Sequence, residues 1–244
     1  MLFLWQLVYM LQIFPPLLFP SLLSIGQSLW DGIIYQGMSW SLLYSLWFIV
    51  RGLFYGIVLA LFFSALSIAN KTVHKVYYMF ISLFDPLPGI ALLPLVILWF
   101  GVGEGAILFL IIHSVLWPLS RSILDGFATV PLIYVESGKN FGLRGFRLVK
   151  DIYITAALPH ILSGLKTGWG RAWRALIAVE MIFGVSGAMG GIGWYIYISR
   201  YKLDTPGVFA SVVLILIAGL IVEYGIFGYF EKKTIKKWGL LNDR

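Results

Sequence analysis

The stretch GLFYGIVLALFFSALSIAN, residues 52–70, carries no charged side chain between Arg51 and Lys71. A bilayer core about 30 Å thick is crossed by about 20 predominantly apolar residues in a helix. The apolar residues run on without the alternation of a membrane β-strand, and a helix satisfies its backbone hydrogen bonds internally. The stretch therefore predicts a membrane-spanning helix in an all-α integral membrane protein.

The same pattern recurs along the 244-residue chain. Only 12% of the residues are charged and 60% are hydrophobic, whereas about 25% are charged in an ordinary soluble domain. Such a chain cannot cover a water-facing surface with polar groups. The uncharged segments predict spans at 39–68, 76–101, 105–128 and 208–230.

Two less regular segments predict the remaining spans. Residues 160–184 form an apolar segment interrupted by charged side chains, among them Arg171, Arg174 and Glu180. The opening segment MLFLWQLVYMLQIF, residues 1–14, has neither the basic residues nor the cleavage pattern of a signal peptide. We expect it to be a first membrane helix, shortened or kinked by the prolines that follow it. The prediction is six spans in a single transmembrane domain, residues 1–244.

Lysine and arginine predict the orientation, because loops on the cytoplasmic side carry an excess of both. With six alternating spans, three basic groups fall on one side, which is then cytoplasmic and includes the C-terminus. They are Lys71 and Lys75; Lys139, Arg144, Arg147 and Lys150; and Lys232, Lys233, Lys236 and Lys237. The opposite side receives residues 101–105 and 199–207, and the glycine-rich segment 183–194 is expected to be a turn there.

Two pairs of glycines recur at a spacing of four residues. Gly52 and Gly56 form one pair, and Gly164 and Gly168 form the other. Small residues at this spacing allow membrane helices to pack closely. We expect these pairs to lie against neighbouring helices of the same chain or, for one pair, against a second subunit.

The segment VESGKNFGLRGFRLVKDIYITAALPHILSGLK, residues 135–166, is unusually basic for this chain. Phe141, Leu148 and Ile152 recur at a helix-like spacing, while Gly142 and Gly145 weaken the predicted helix. By charge alone, the segment is a basic loop beside the membrane.

Several classes of site are excluded or disfavoured. The chain has no cysteine, which excludes disulfides and cysteine-bound metal centres. SGKN, residues 137–140, resembles the end of a phosphate-binding loop, but Ile133 occupies the position of the required glycine and no Ser or Thr follows Lys139. The three histidines are far apart in sequence, so no metal site is predicted. The net charge is +7, but the basic residues flank apolar blocks. This placement is typical of a membrane protein and does not favour binding to nucleic acid.

Charges inside predicted spans are candidates for a solute pathway. A charged side chain near mid-bilayer costs about 2.5–3.5 kcal/mol on insertion scales, so it tends to face a cavity or a partner. One interpretation is a polar pathway for a charged or polar solute. The other is structural pairing, for example Arg51 with Asp85 or Arg174 with Glu180. The candidates are Arg51, Asp85, Arg171, Arg174 and Glu180.

Residues 134–160 resemble the EAA loop of permease subunits of bacterial binding-protein-dependent ABC importers. Glu136 and Gly142 are in register with that loop, and Ile152 follows Gly142 after nine residues. Ser137 and Gly138 replace its two alanines. Other blocks resemble the subfamily that handles nitrate, sulfonate, taurine and bicarbonate: PPLLFPS (15–21), SLWFIVRGL (45–53), ALLPLVILWFGVGE (91–104), AALPHILSGLKTGWGRAW (156–173) and VEM (179–181).

The resemblance implies a type I importer permease fold in the bacterial cytoplasmic membrane. Two permease subunits, expected to be copies of one chain, would work with two ATP-binding subunits and an extracytoplasmic solute-binding protein. The partner ATPase would bind ATP and magnesium, and this chain would bind no cofactor. Glu136 to Arg147 would form a coupling helix. Its implied ATPase-coupling residues are Glu136, Ser137, Gly138, Asn140, Phe141, Gly142, Arg144 and Phe146.

The solute implied by the resemblance is a small polar or anionic compound of the sulfonate, nitrate, bicarbonate or aromatic or other organic-acid type. Asp85 departs from the subfamily and weakens the prediction of a simple inorganic anion. Two alternatives remain open from the residues alone. One is an integral membrane enzyme that modifies lipids with its intramembrane charges, and the other is a small secondary carrier that works without ATP.

Overall fold

A computed structural model describes residues 2–183 and 190–236. Its described residues form twelve α-helices joined by turns and by short 3-10 and π-helical segments. The α-helices are α1 Leu2–Met10, α2 Leu22–Ile34, α3 Met38–Ala69, α4 Lys71–Phe84, α5 Leu93–Phe100, α6 Glu104–Ala128, α7 Leu132–Asn140, α8 Gly145–Leu148, α9 Leu158–Phe183, α10 Ile192–Tyr201, α11 Thr205–Leu220 and α12 Gly228–Glu231. The other segments are Gly89–Leu92 (3-10) and Val149–Ile154, Ile221–Phe227 and Lys232–Lys236 (π).

Three helical stretches of the described chain are long and apolar enough to cross a membrane: Met38–Ala69, Glu104–Ala128 and Thr205–Thr234. They match the predicted spans 39–68, 105–128 and 208–230. Helix α9 covers the predicted span 160–184 and carries the charges noted there. The prediction of an all-helical membrane protein is confirmed, and the count of six spans stays a prediction.

The predicted span 76–101 is not one straight helix. Helix α4 ends at Phe84, and the helical stretch Gly89–Phe100 follows at an angle of 90°. The residues between them include Pro86 and Pro88, which lack the backbone N–H that a continuing helix needs. The pair counts as a fourth, broken span or as a loop that re-enters the same side.

The N-terminal segment also differs from the prediction. Helix α1 has nine residues, and at 1.5 Å per residue it reaches about 14 Å, less than half of a bilayer core. The chain leaves the helix at Gln12, whose φ is +48°. Trp5 then stacks on Phe19 at 4.1 Å, and its Nε1 donates to the Pro20 carbonyl at 3.0 Å. The segment therefore folds back toward α2, a helix that the sequence pattern did not predict.

Helix α6 lies at the centre and packs most extensively on α9 and α3. A Cβ added at Gly164 would lie 2.5 Å from Cβ of Ser122, and one added at Gly56 would lie 2.9 Å from Cγ1 of Val115. Gly52 and Gly168 approach α6 in the same way, at Ile111 and Val115. Both predicted glycine pairs thus bring helices together within one chain.

Gly164→Ala is expected to destabilise the protein, because the new methyl group meets the rigid Cβ of Ser122. Overpacking of this kind costs about 1–3 kcal/mol of unfolding free energy. Gly26→Ala is the matched control, since Gly26 lies inside α2 with no atom within 4 Å of an added Cβ. The control is expected to stabilise by up to about 1 kcal/mol through helix propensity. Unfolding of the purified variants measures both, and equal stabilities would contradict the packing.

Candidate functional site

The segment that resembles the EAA loop forms a helical hairpin. Helix α7 ends at Asn140, and Gly142 follows with φ +82°. The Leu143 N–H donates to the Gly138 carbonyl and the Gly142 N–H to the Lys139 carbonyl, both at 2.9 Å. These two bonds are those of a Schellman motif, which favours glycine at the left-handed position. The chain therefore reverses sharply at Gly142.

A single helix from Glu136 to Arg147 is not present. Gly142 and Gly145 both have positive φ, +82° and +53°, and the backbone between Asn140 and Gly145 is a turn. The helix-like spacing of Leu148 and Ile152 has a structural basis, because both side chains lie against Gly138 of α7. A Cβ added at Gly138 would meet Ile152 Cγ1 at 3.0 Å and Leu148 Cδ1 at 3.1 Å.

The outer side of the hairpin exposes two aromatic rings. Phe141 is 87% exposed and Phe146 is 74% exposed. We call these rings, with the exposed side chains of Glu136, Asn140 and Arg144, the turn surface. Of the other predicted coupling residues, Gly138 is buried and Ser137 is half-buried. Gly138 therefore holds the hairpin together and offers no contact to a partner.

Three of the charges inside the helices meet at the bend after α4. The carboxylate of Asp85 accepts from Arg171 at 2.6 Å through Oδ1 and from Arg121 at 2.9 Å through Oδ2. Arg171 also donates to the Asp85 main-chain carbonyl at 3.0 Å, which satisfies an acceptor at the end of a helix. The cluster ties α4 to α6 and α9. Arg121 lies inside the predicted span 105–128 but was not among the predicted pathway candidates.

The predicted pairings of the other charges are wrong. Arg51 pairs with Glu104 at 3.3 Å, and both side chains are partly exposed. Glu180 is 2% exposed; its carboxylate accepts from Ser45 Oγ at 2.7 Å and from the Gly193 N–H at 2.9 Å. Arg174 and Glu180 are six residues apart, so they point to different sides of a helix with 3.6 residues per turn.

A cavity of about 360 Å³ lies beside the bend. Residues 84–90 form one wall, and α6 and α9 form the others; we call it the kink cavity. Asp85, Arg171 and Arg174 line it, whereas Arg51 and Glu180 do not. Three of the five pathway candidates therefore line the same cavity, and Arg121 forms an ion pair with one of them, Asp85.

Comparison with known proteins places the chain among transport proteins. Residues 52–236 match the family model described as binding-protein-dependent transport system inner membrane component. The chain is 29% identical over 231 residues to the taurine transport system permease protein of Escherichia coli (strain K12), covering 91% of this chain and 81% of that protein.

Two further relatives are similar over shorter stretches. A putative ABC transporter permease protein of Methanocaldococcus jannaschii is 31% identical over 163 residues, which is 67% of this chain and 60% of that protein. A putative aliphatic sulfonates transport permease protein of Escherichia coli (strain K12) is 32% identical over 143 residues, 59% of this chain and 53% of that protein. The chain belongs to the family of inner membrane components of binding-protein-dependent transport systems, as a transport subunit and not an enzyme.

Proposed function

We propose that the chain forms the solute pathway of an ATP-driven importer and is coupled to a separate ATPase through the turn surface. The observation that carries this proposal is the exposure of Phe141 and Phe146 at 87% and 74%. Exposed aromatic surface beside a turn is typical of a docking site for another protein. The Schellman turn at Gly142, in register with the EAA loop, supports the same role.

The arrangement of the helix ends supports a cytoplasmic position for the turn surface. Lys166, near the start of α9, pairs with Glu223 at 2.8 Å and Glu231 at 3.7 Å. Residues 232–236 therefore lie at the same end of α9 as the hairpin. Tyr77 of α4 bonds Ser120 in the second half of α6, which brings the start of α4 to this end as well. Basic residues gathered at one end favour the cytoplasmic side.

The proposed assembly contains a second copy of this chain, two ATP-binding subunits and an extracytoplasmic solute-binding protein. The family description already implies dependence on a binding protein. ATP and magnesium would be bound by the ATPase. The aromatic rings would supply most of the docking energy, because exposed ion pairs contribute only about 0–1 kcal/mol each.

The proposed solute is a small anionic compound of the sulfonate type. Relatives named for taurine and aliphatic sulfonates support this class. The charges that line the kink cavity agree with it, since Arg171 and Arg174 outnumber Asp85 by two to one.

The test is reconstitution of the chain in liposomes with its cognate ATPase and binding protein, followed by ATP turnover with loaded binding protein. Gly142→Asp is expected to lower stimulated turnover about tenfold or more while leaving membrane insertion intact, because it adds a charged side chain at the turn, next to the exposed ring of Phe141, on left-handed backbone that favours glycine. Gly37→Asp is the matched control. Gly37 also has positive φ (+73°) and no atom within 4 Å of an added Cβ, but it precedes the start of α3, at the end of the bundle away from the hairpin. Normal turnover with Gly142→Asp would contradict the proposal.

A further inference from the structure

We infer that the kink cavity binds the oxyanion head of a small organic anion, with Arg174, Trp117 and His113 as its donors. This inference rests on the proposed import function and adds the place and the atoms of solute recognition. The cavity lies near the middle of α6 and α9, where a solute that crosses the membrane has to pass. A site at this depth would contact the solute during transfer and not at the membrane surface.

The first argument comes from polar atoms that the described protein leaves without partners. His113 is 8% exposed, and neither its Nδ1 nor its Nε2 has a hydrogen-bond partner among the described residues. The same holds for Nε1 of Trp117. A buried polar group without a partner is unfavourable, and such groups in native proteins need an explanation. Both side chains line the kink cavity, and a ligand or water bound there would supply a partner that the described residues do not.

The second argument is charge. Both carboxylate oxygens of Asp85 are engaged by Arg121 and Arg171. Arg174 lines the cavity, and within residues 2–183 and 190–236 its guanidinium makes no hydrogen bond or ion pair. The cavity lining holds two guanidinium groups, of Arg171 and Arg174, against the single carboxylate of Asp85, which leaves an excess of one positive charge. A guanidinium presents donors in a planar fork that fits carboxylate and phosphate-like oxyanions, so Arg174 is the primary ligand.

The third argument is the shape and lining of the cavity. Its volume of about 360 Å³ falls in the range of roughly 300–1,000 Å³ found for small-molecule sites. Phe84 and Trp117 stack on each other at 5.0 Å and line it. An apolar wall beside a cationic one suits an anion with a short hydrocarbon body better than a bare inorganic ion.

The test is calorimetric titration of the purified full-length chain in lipid nanodiscs, in chloride-free buffer. Ethanesulfonate is the probe, nitrate is the comparator without a hydrocarbon body, and ethylammonium is the comparator of opposite charge. Ethanesulfonate is expected to bind more tightly than nitrate, and ethylammonium is expected not to bind. Arg174→Gln should weaken ethanesulfonate binding about tenfold or more, and Trp117→Phe several-fold, because charged hydrogen bonds are stronger than neutral ones.

Arg200→Gln is the matched control, since Arg200 is exposed in α10 and does not line the cavity; its binding should equal that of the unmodified chain. Absence of ethanesulfonate binding would overturn the inference. So would unchanged affinity in both cavity variants, equal binding of ethylammonium, or nitrate binding as tight as ethanesulfonate. The titration needs no ATPase, so its failure leaves the coupling role of the turn surface intact. Normal turnover with Gly142→Asp, which would contradict the coupling role, likewise leaves the titration result standing.

Discussion

Replacing Phe141 and Phe146 together with glutamate is expected to abolish stable association with the ATPase. Burial of a Phe side chain contributes about 1.5–3 kcal/mol, and both rings are free to be buried by a partner because they are 87% and 74% exposed. Loss of both contacts corresponds to an affinity reduction of at least about 100-fold. Co-purification of the ATPase and binding-protein-stimulated ATP turnover measure the effect.

The matched control is the double substitution Tyr35→Glu with Tyr201→Glu. These rings are 77% and 79% exposed, so the variant changes the same charge and a similar apolar area. They lie at the opposite end of the bundle, where Tyr195 of α10 bonds Gln36 beside α2. The control should retain the ATPase. Retention of the ATPase by the double Phe variant would show that the turn surface is not the docking site.

Asp85→Asn is expected to lower the unfolding free energy by about 1.5–3 kcal/mol, the range for hydrogen bonds to charged groups, since the partner arginines are 34% and 40% exposed. The carboxylate is 13% exposed and is shared by two guanidinium groups. Asparagine keeps the shape but leaves Arg121 and Arg171 facing each other without a counter-charge. The bend between α4 and α5 should loosen first, because Arg171 also bonds the Asp85 carbonyl there. Unfolding of the nanodisc-embedded protein measures the loss.

Glu104→Gln is the control for this second prediction. Its pair with Arg51 is longer, at 3.3 Å, and the carboxylate is 47% exposed. Exposed pairs contribute about 0–1 kcal/mol, so this variant should be close to the unmodified chain. If the two variants were equally stable, the cluster at the bend would have no special structural role.

The membrane spans were predictable where long uncharged runs in the sequence mark them. The predicted spans 39–68, 105–128 and 208–230 agree within a few residues with the apolar helical stretches Met38–Ala69, Glu104–Ala128 and Thr205–Thr234. The failures occur where backbone geometry decides within an apolar stretch. The helix end after Met10 and the 90° bend after Phe84 leave the hydropathy unchanged, so an apolar pattern cannot reveal them. Residues 184–189 of the predicted external turn, and Lys237 of the basic tail, lie outside the described residues.

The sequence predicted which residues belong to the candidate sites better than it predicted which partners they contact. Asp85, Arg171 and Arg174 were candidates because charge in a span is costly, and they do share one cavity. Their partners depend on how each helix is rotated about its axis, which a single sequence does not specify. Gly142 has the left-handed backbone that glycine allows. Gly138 is needed for a different reason, because its lack of a side chain lets Leu148 and Ile152 pack against α7.

The most direct test of the central claim uses the absence of cysteine from the chain. Phe141→Cys introduces a single thiol, to which a short photoactivated cross-linker is attached before the complete transporter is assembled and irradiated. The predicted result is a covalent adduct with the ATPase subunit, with none from the same reagent attached through Tyr201→Cys. An adduct of position 141 with the extracytoplasmic binding protein, or with lipid alone, would contradict the account.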